Sequence, residues 1–262
     1  MSNNLEKRIC VIIPIYKQQF NKEEEKAVKL NLEKLQGMET VFVAPDGIEE
    51  QYYRVKFPNV NMVYFPKHFF KGTAGYNKLM LSTKFYQTFE QYKYICICQP
   101  DVLILKNRDA LEKMMDLGYD YIGAPWRPGV RCCIWDRRFD IFKKTVIINR
   151  KIREIRHKIF KTYVLVVGNG GLSLRNVQAC KRLLEKYKIY KFIWRENEDK
   201  FFACIGEYID KEFKVADKAS ASRFALEHVA KEAIDSGNIP FGIHAYEKYY
   251  PNVMKEHPEL WY

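Results

Sequence analysis

The chain has 262 residues, 47% hydrophobic and 15% aromatic, ample for a packed core and incompatible with wholesale disorder. A formal charge of +12 favours an anionic partner, whether nucleic acid, anionic lipid or a diphosphate-bearing ligand. No run approaches the roughly 18–20 apolar residues of a spanning helix, and MSNNLEKR at the start lacks a secretory apolar stretch. Seven cysteines (Cys10, Cys96, Cys98, Cys132, Cys133, Cys180, Cys204) are an odd number without zinc-type spacing, which places the expected protein in a reducing cytoplasm.

Residues 8–16, RICVIIPIY, form an apolar, β-branched run closed by Pro14 and Tyr16, as in a buried strand feeding a loop. Residues 22–36 then carry helical spacing, with Gly37 as a stop. METVFVAPDG gives a second strand ending in a turn, and NVNMVYFP a third. A helix over 75–92 leads to a fourth strand, YKYICICQPDVLIL, broken at Gln99-Pro100-Asp101. Cys96 and Cys98 alternate within it as buried thiols do. This rhythm predicts an α/β fold, a mostly parallel central sheet flanked by helices, in one domain. Residues 1–106 form a nucleotide-binding half and 107–262 an acceptor half. In the second half, 119–126 is a short strand, YVLVVGNGGLSLR a strand, glycine turn and return, and 175–190 a helix capped by Asn176. NEDKFFACIGEYI opens another helix. Residues 141–161 interleave nine Lys, Arg or His side chains with Ile and Phe, which suits an amphipathic helix on anionic lipid or an ordinary solvated helix.

Asp101 stands at the carboxyl end of a very apolar strand, where open α/β sheets bind ligands. A carboxylate there suits a divalent cation, manganese or magnesium, bridging to a diphosphate; the plainer reading is a Pro-Asp turn. Gln99, two residues earlier, offers only an amide oxygen. GNGGLSLR, 168–175, lets backbone approach a ligand closely or simply makes a hairpin. Glu198 and Asp199 are adjacent carboxylates before Phe201-Phe202: either holds a general base raised by apolar neighbours, or both are acidic residues at a helix start. His244, in FGIHAYEK, is a metal ligand or a packed histidine.

Taken in order, QPD, IGAPW, GNGGLSLR, NEDKFF and PFGIHAYEK resemble a family of bacterial polysaccharide-cluster proteins of unknown function with the Rossmann-like glycosyltransferase type-A fold, over roughly residues 8–250. The resemblance implies that Pro14, Ile15, Tyr16 and Asp46 line a nucleobase pocket and that Asn77 and Lys78 approach the nucleotide. It implies that Asp101 and His244 bind metal, and that Asn169, Gly170 and Gly171, with Gln99, face the donor. Asp199 becomes the base, with Glu198 as the alternative base or an acceptor-binding group. The departure is Gln99, where relatives of this architecture carry a first aspartate, so any metal is weakly held. The implied activity is transfer of a hexose or N-acetylhexosamine from a nucleoside diphosphate sugar, UDP-linked, to a hydroxyl of a cell-surface or lipid-linked glycan. Inversion is expected if Asp199 is the base, with retention left open by the sequence order, and the reaction is placed at the inner face of the cell membrane. The rivals are a nucleotidyltransferase, which would want a glycine- and basic-rich loop where PIYKQQFNKEEE stands, a basic nucleic-acid-binding protein, for which no motif is present, and a catalytically silent member of the fold.

Overall fold

The structure is a computed structural model and describes residues 7–132 and 163–260. Its strands, in chain order, are β1 (Lys7–Pro14), β2 (Glu39–Pro45), β3 (Asn61–Phe65), β4 (Tyr92–Cys98), β5 (Leu103–Ile104), β6 (Tyr121–Pro125), β7 (Arg131–Cys132), β8 (Tyr163–Val164), β9 (Val167–Asn176), β10 (Ala225–Leu226) and β11 (Gly242–Ile243). Six of them form one sheet in the order β3-β2-β1-β4-β9-β6. The first four run parallel, and β9 lies antiparallel between β4 and β6. A second sheet, β10-β11-β5, and the pair β7-β8 complete the pairing among the described residues. The expected α/β architecture is present.

The apolar runs in β1 and β4 exist because both faces of the sheet are covered. Ile9, Val11 and Ile13 enter one core cluster, Cys10 and Ile12 the opposite one. In β4, Tyr94, Cys96 and Cys98 face the first cluster, Ile95 and Ile97 the second. Strands buried on both faces read as continuous hydrophobic sequence, not as alternation. On the first face sits α1 (Lys22–Lys34), opened by a capping box in which the Glu24 amide donates to the Asn21 side chain at 2.7 Å and the Asn21 amide donates to the Glu24 carboxylate at 2.9 Å. The 75–92 helix proves to be two, Gly72–Met80 and Thr83–Thr88, and Tyr92 already belongs to β4. Asn176 caps the helix Val177–Lys186 as expected, accepting from the Ala179 amide at 3.0 Å.

Two expectations need correction. The glycines of GNGGLSLR are not a hairpin turn: β9 continues through them in one direction, bulging at 170–172, where Gly123 and Ala124 of β6 pair with Ser173 and Asn169. Nor does the strand ending at Cys98 resume in the same sheet after Asp101, since β5 pairs with β11. The basic stretch 141–161 and Cys133 lie outside the described residues. No helix among the described residues is long and apolar enough to cross a membrane.

Candidate functional site

At the carboxyl end of β4 the chain leaves the main sheet through Gln99-Pro100-Asp101. The turn is closed by the Val102 amide donating to the Gln99 carbonyl at 2.9 Å, while the Gln99 amide donates to the Gly171 carbonyl at 3.0 Å. Asn31, fully buried on α1, grips the next residues from both sides: its side chain donates to the Val102 carbonyl at 2.8 Å and accepts from the Ile104 amide at 2.7 Å. Buried backbone groups need such partners, so a core asparagine fixes the loop that carries Asp101.

The small sheet supplies the facing side chains. Antiparallel pairing sets Ile243 of β11 opposite Leu103 of β5, so His244 arrives beside Asp101, with Nε2 3.7 Å from its Oδ1. Parallel pairing of β10 with β11 brings Glu227 to the other ring nitrogen, Nδ1, at 3.5 Å. Nδ1 is buried and makes no hydrogen bond among the described residues. Burial disfavours the imidazolium, but Glu227 and then Asp101 outweigh it and raise His244 above its ordinary pKa. Ala245, next in sequence, has φ of 52°, a left-handed backbone that is uncommon for a non-glycine residue and concentrates at functional positions. With metal–oxygen and metal–nitrogen bonds of about 2 Å, Asp101 and His244 are spaced to share one divalent ion. No cluster of three or more His, Cys, Asp or Glu that could hold a metal occurs among the described residues.

The glycines of β9 make room for these side chains. A Cβ on Gly171 would stand 2.1 Å from His244 Nε2, and one on Gly170 would stand 2.8 Å from Glu198 Oε1. Asn169 joins the two sides, donating to Glu227 at 3.0 Å and accepting from the Gly171 amide at 3.2 Å.

The opposite wall is the start of the helix Glu198–Cys204. Glu198 is 4% exposed and receives a hydrogen bond from Arg175 Nη2 at 2.8 Å. Arg175 is itself completely buried; it also donates to Ser173 Oγ at 3.0 Å and the Tyr86 hydroxyl at 3.2 Å, and lies over the rings of Tyr121 and Phe202 at 5.2 and 5.4 Å. A buried charge requires such pairing. Asp199 accepts from the Lys200 amide at 2.6 Å and the Gly170 amide at 3.3 Å. Burial, and then the charge of Glu198, push its carboxyl up to about 7. Asn77 braces this helix start, donating to Asn197 at 3.2 Å and accepting from the Glu198 amide at 3.4 Å.

The two walls enclose one cleft of about 490 Å³. Pro14, Tyr16, Asn77, Gln99, Asp101, Asn169, Gly170, Gly171, Glu198, Asp199 and His244 all border it. Ile15, just past β1, does not: successive residues of an extended chain point to opposite sides, and Ile15 is 1% exposed in the core. Asp46 and Lys78 are exposed and off the lining. Arg175, Glu227 and Tyr76 belong to the site without any sequence motif that marks their roles. The buried Tyr76 hydroxyl borders the cleft and has no hydrogen-bond partner among the described residues.

Mouse xyloside xylosyltransferase 1, in its apo form, superposes with a TM-score of 0.55 over 90% of this chain and 97% of that one, at 14% identity. The galactosyltransferase LgtC, in complex with donor and acceptor sugar analogs, gives 0.51 over 90% and 86%, also at 14% identity. At such identity the likeness establishes the fold, which is that of the type-A glycosyltransferases. No curated protein matches the sequence. A sequence profile matches residues 59–244, a span that includes both walls from Asn77 to His244, and the chain belongs to the family that it defines, described as "Protein of unknown function (DUF5672)".

Proposed function

We propose that the protein is a glycosyltransferase that moves a sugar from a nucleoside diphosphate donor, UDP-linked, to a hydroxyl of a glycan or lipid-linked glycan. The observation that supports this best is the pairing, across one cleft, of a half-open Asp101–His244 site with a buried Asp199 whose pKa is pushed up to about 7. Two carboxylate settings so different suit two tasks, one holding a cation for the diphosphate and the other moving a proton.

In this reading Pro14 and Tyr16 border the base-binding end, with Phe69 and Phe70 as further aromatic surface. Asp101 and His244, with the amide oxygen of Gln99, would hold a divalent cation, manganese or magnesium, which when bound supplies positive charge for the departing diphosphate. Glu227 faces His244 Nδ1 and so presents Nε2 toward Asp101, the usual arrangement behind a ligating histidine. Asp199 takes the proton from the acceptor hydroxyl as its oxygen bonds to the anomeric carbon. The glycosidic carbon–oxygen bond to the diphosphate breaks in the same displacement, and the configuration inverts. Glu198, fixed by Arg175, positions the acceptor beside Asp199 and keeps the local field negative. Residues 1–106 thus supply the nucleotide side and 107–262 the base and acceptor side, with His244 returning to the first.

The test is a thermal-shift panel of UDP, ADP, GDP and CDP, each with and without manganese, on wild type and Asp101→Asn. A ligand that binds only the native state raises its melting temperature. UDP with manganese should give the largest shift in wild type, and the substitution should remove the manganese-dependent part. Equal shifts with all four nucleotides would sink the donor assignment; an unchanged response in the variant would remove Asp101 from the site.

A further inference from the structure

Next to the cleft, the short helix Lys188–Ile193 is apolar on two sides. Tyr190 and Ile193, with Tyr187 before them, pack half-buried against the core, and the two tyrosine rings lie 5.7 Å apart. Ile189 and Phe192 are three residues apart, hence on one helical face, and are 68% and 76% exposed. No large hydrophobic side chain among the described residues is more exposed than Phe192. Isolated exposed apolar residues need no explanation, but a pair on one face with a charged rim does.

The rim is cationic. Between 181 and 195 the sequence has Lys181, Arg182, Lys186, Lys188, Lys191 and Arg195 against a single acidic residue, Glu185. Lys181 and Lys186 are engaged by Glu90 and Asp210, whereas Lys188 and Arg195 are exposed and form no ion pair among the described residues. A second copy of the chain would bring one cationic rim against another. A polynucleotide would satisfy the charges but leave Ile189 without a partner. An anionic bilayer interface satisfies both, taking apolar side chains among its lipid chains and cations among its headgroups.

The helix is also tied to the catalytic wall. It runs into Trp194, buried, whose indole nitrogen donates to the Asn197 carbonyl at 2.9 Å and whose ring packs edge-on against Phe201 at 5.3 Å. Asn197 borders the cleft and is followed directly by Glu198 and Asp199. We propose that Lys188–Ile193 is a docking surface for an anionic bilayer, inserting Ile189 and Phe192 and setting the Glu198–Asp199 side of the cleft at the membrane. It follows that the acceptor is presented from that bilayer, a consequence that rests on the glycosyltransferase reading; the docking itself does not.

The experiment is co-sedimentation of the full chain with vesicles of phosphatidylcholine alone and of phosphatidylcholine mixed with phosphatidylglycerol. Wild type, Ile189→Ser/Phe192→Ser and Lys188→Gln/Arg195→Gln are compared. All four side chains are exposed, so both variants should melt like wild type. Wild type should bind the anionic vesicles and not the neutral ones. The serine variant should lose about tenfold or more in vesicle partitioning, since every apolar group withdrawn from lipid weakens the anchor. The glutamine variant should lose about fivefold per charge removed. No binding by wild type, or wild-type binding by the serine variant, would overturn the proposal. So would a wild-type dimer in sedimentation velocity that the serine variant dissolves, because the patch would then belong to a second copy. Vesicle binding without any nucleotide-sugar response would keep the docking surface and sink only the proposed reaction.

Discussion

On the wall made by β9 and the helix Glu198–Cys204 the carboxylates are sealed in, whereas on the wall made by the small sheet Asp101 keeps 39% of its side chain exposed. Glu198, at 5% side-chain exposure, has its counter-ion built in: Arg175, held by a serine, a tyrosine and two aromatic faces. The one cationic partner that Asp101 faces among the described residues is a histidine, across 3.7 Å. A charge sealed in must be matched by the protein itself, while a charge left open is free to be matched by something that arrives. In the proposed reaction the sealed wall is the one assigned to proton transfer and the open wall the one assigned to a ligand.

The sharpest way to break this contrast is to remove the built-in partner. Arg175→Met leaves Glu198 buried and unpaired, and should cost about 3–5 kcal/mol in urea unfolding. Adding Glu198→Leu should recover part of that loss, so the double variant is more stable than the two single effects summed. Additive losses would show that the pair is not coupled.

Next in size is the proposed base. Asp199→Asn should reduce turnover by at least about a hundredfold, with donor affinity by calorimetry near wild type. Wild-type turnover should rise with pH through about 7, because the ionised form is the active one. The stability effect has the opposite sign: a carboxyl whose folded pKa is raised loses stability as pH climbs from the usual carboxylate range toward 7. Above pH 7 the asparagine variant should therefore unfold at higher denaturant than wild type at the same pH. If Glu198→Gln shows the larger loss of turnover, the two roles are exchanged.

The smallest expected effects separate the walls one glycine at a time. Gly171→Ala drives a methyl into His244 and Gly170→Ala drives one toward Glu198 and Asp199. The first should weaken manganese-dependent nucleotide binding by about tenfold, the scale of misaligned ligand shells, and the second should slow turnover while sparing that binding. Identical phenotypes would mean that the walls work as one unit.

Much of the fold was legible because two-sided burial writes itself into sequence: β1 and β4 are unbroken apolar runs, and Asp101 stands where one of them stops. Capping was legible for the same local reason at Asn176. What escaped depended on distant partners. GNGG reads as a turn until β4 and β6 flank it, after which the missing side chains are space for His244 and Glu198. Arg175, ending GLSLR, looks like a solvated strand end; only the arrival of Tyr86, Tyr121 and Glu198 from elsewhere buries it. Glu227 sits in a stretch with helical composition, and its meeting with His244 is created by pairing of β10 with β11. Ile15 falls on the core side between two cleft residues, Pro14 and Tyr16, because successive side chains of an extended chain alternate.

Cys10, Cys96, Cys98, Cys132, Cys180 and Cys204 are buried cysteines, each no more than 2% exposed. Burial pushes Cys96 up to about 12, far from the thiolate needed to attack an alkylating reagent. Cys10 and Cys96 sit on adjacent central strands, Cys180 and Cys204 on helices behind them. Among the described residues, a thiol-reactive dye would accordingly meet silent cysteines in the native state and label each one only when its own neighbourhood opens. Labelling rates resolved by peptide mass would rank the sheet and helices by the free energy of local opening, a map that this chain makes available without a single introduced probe.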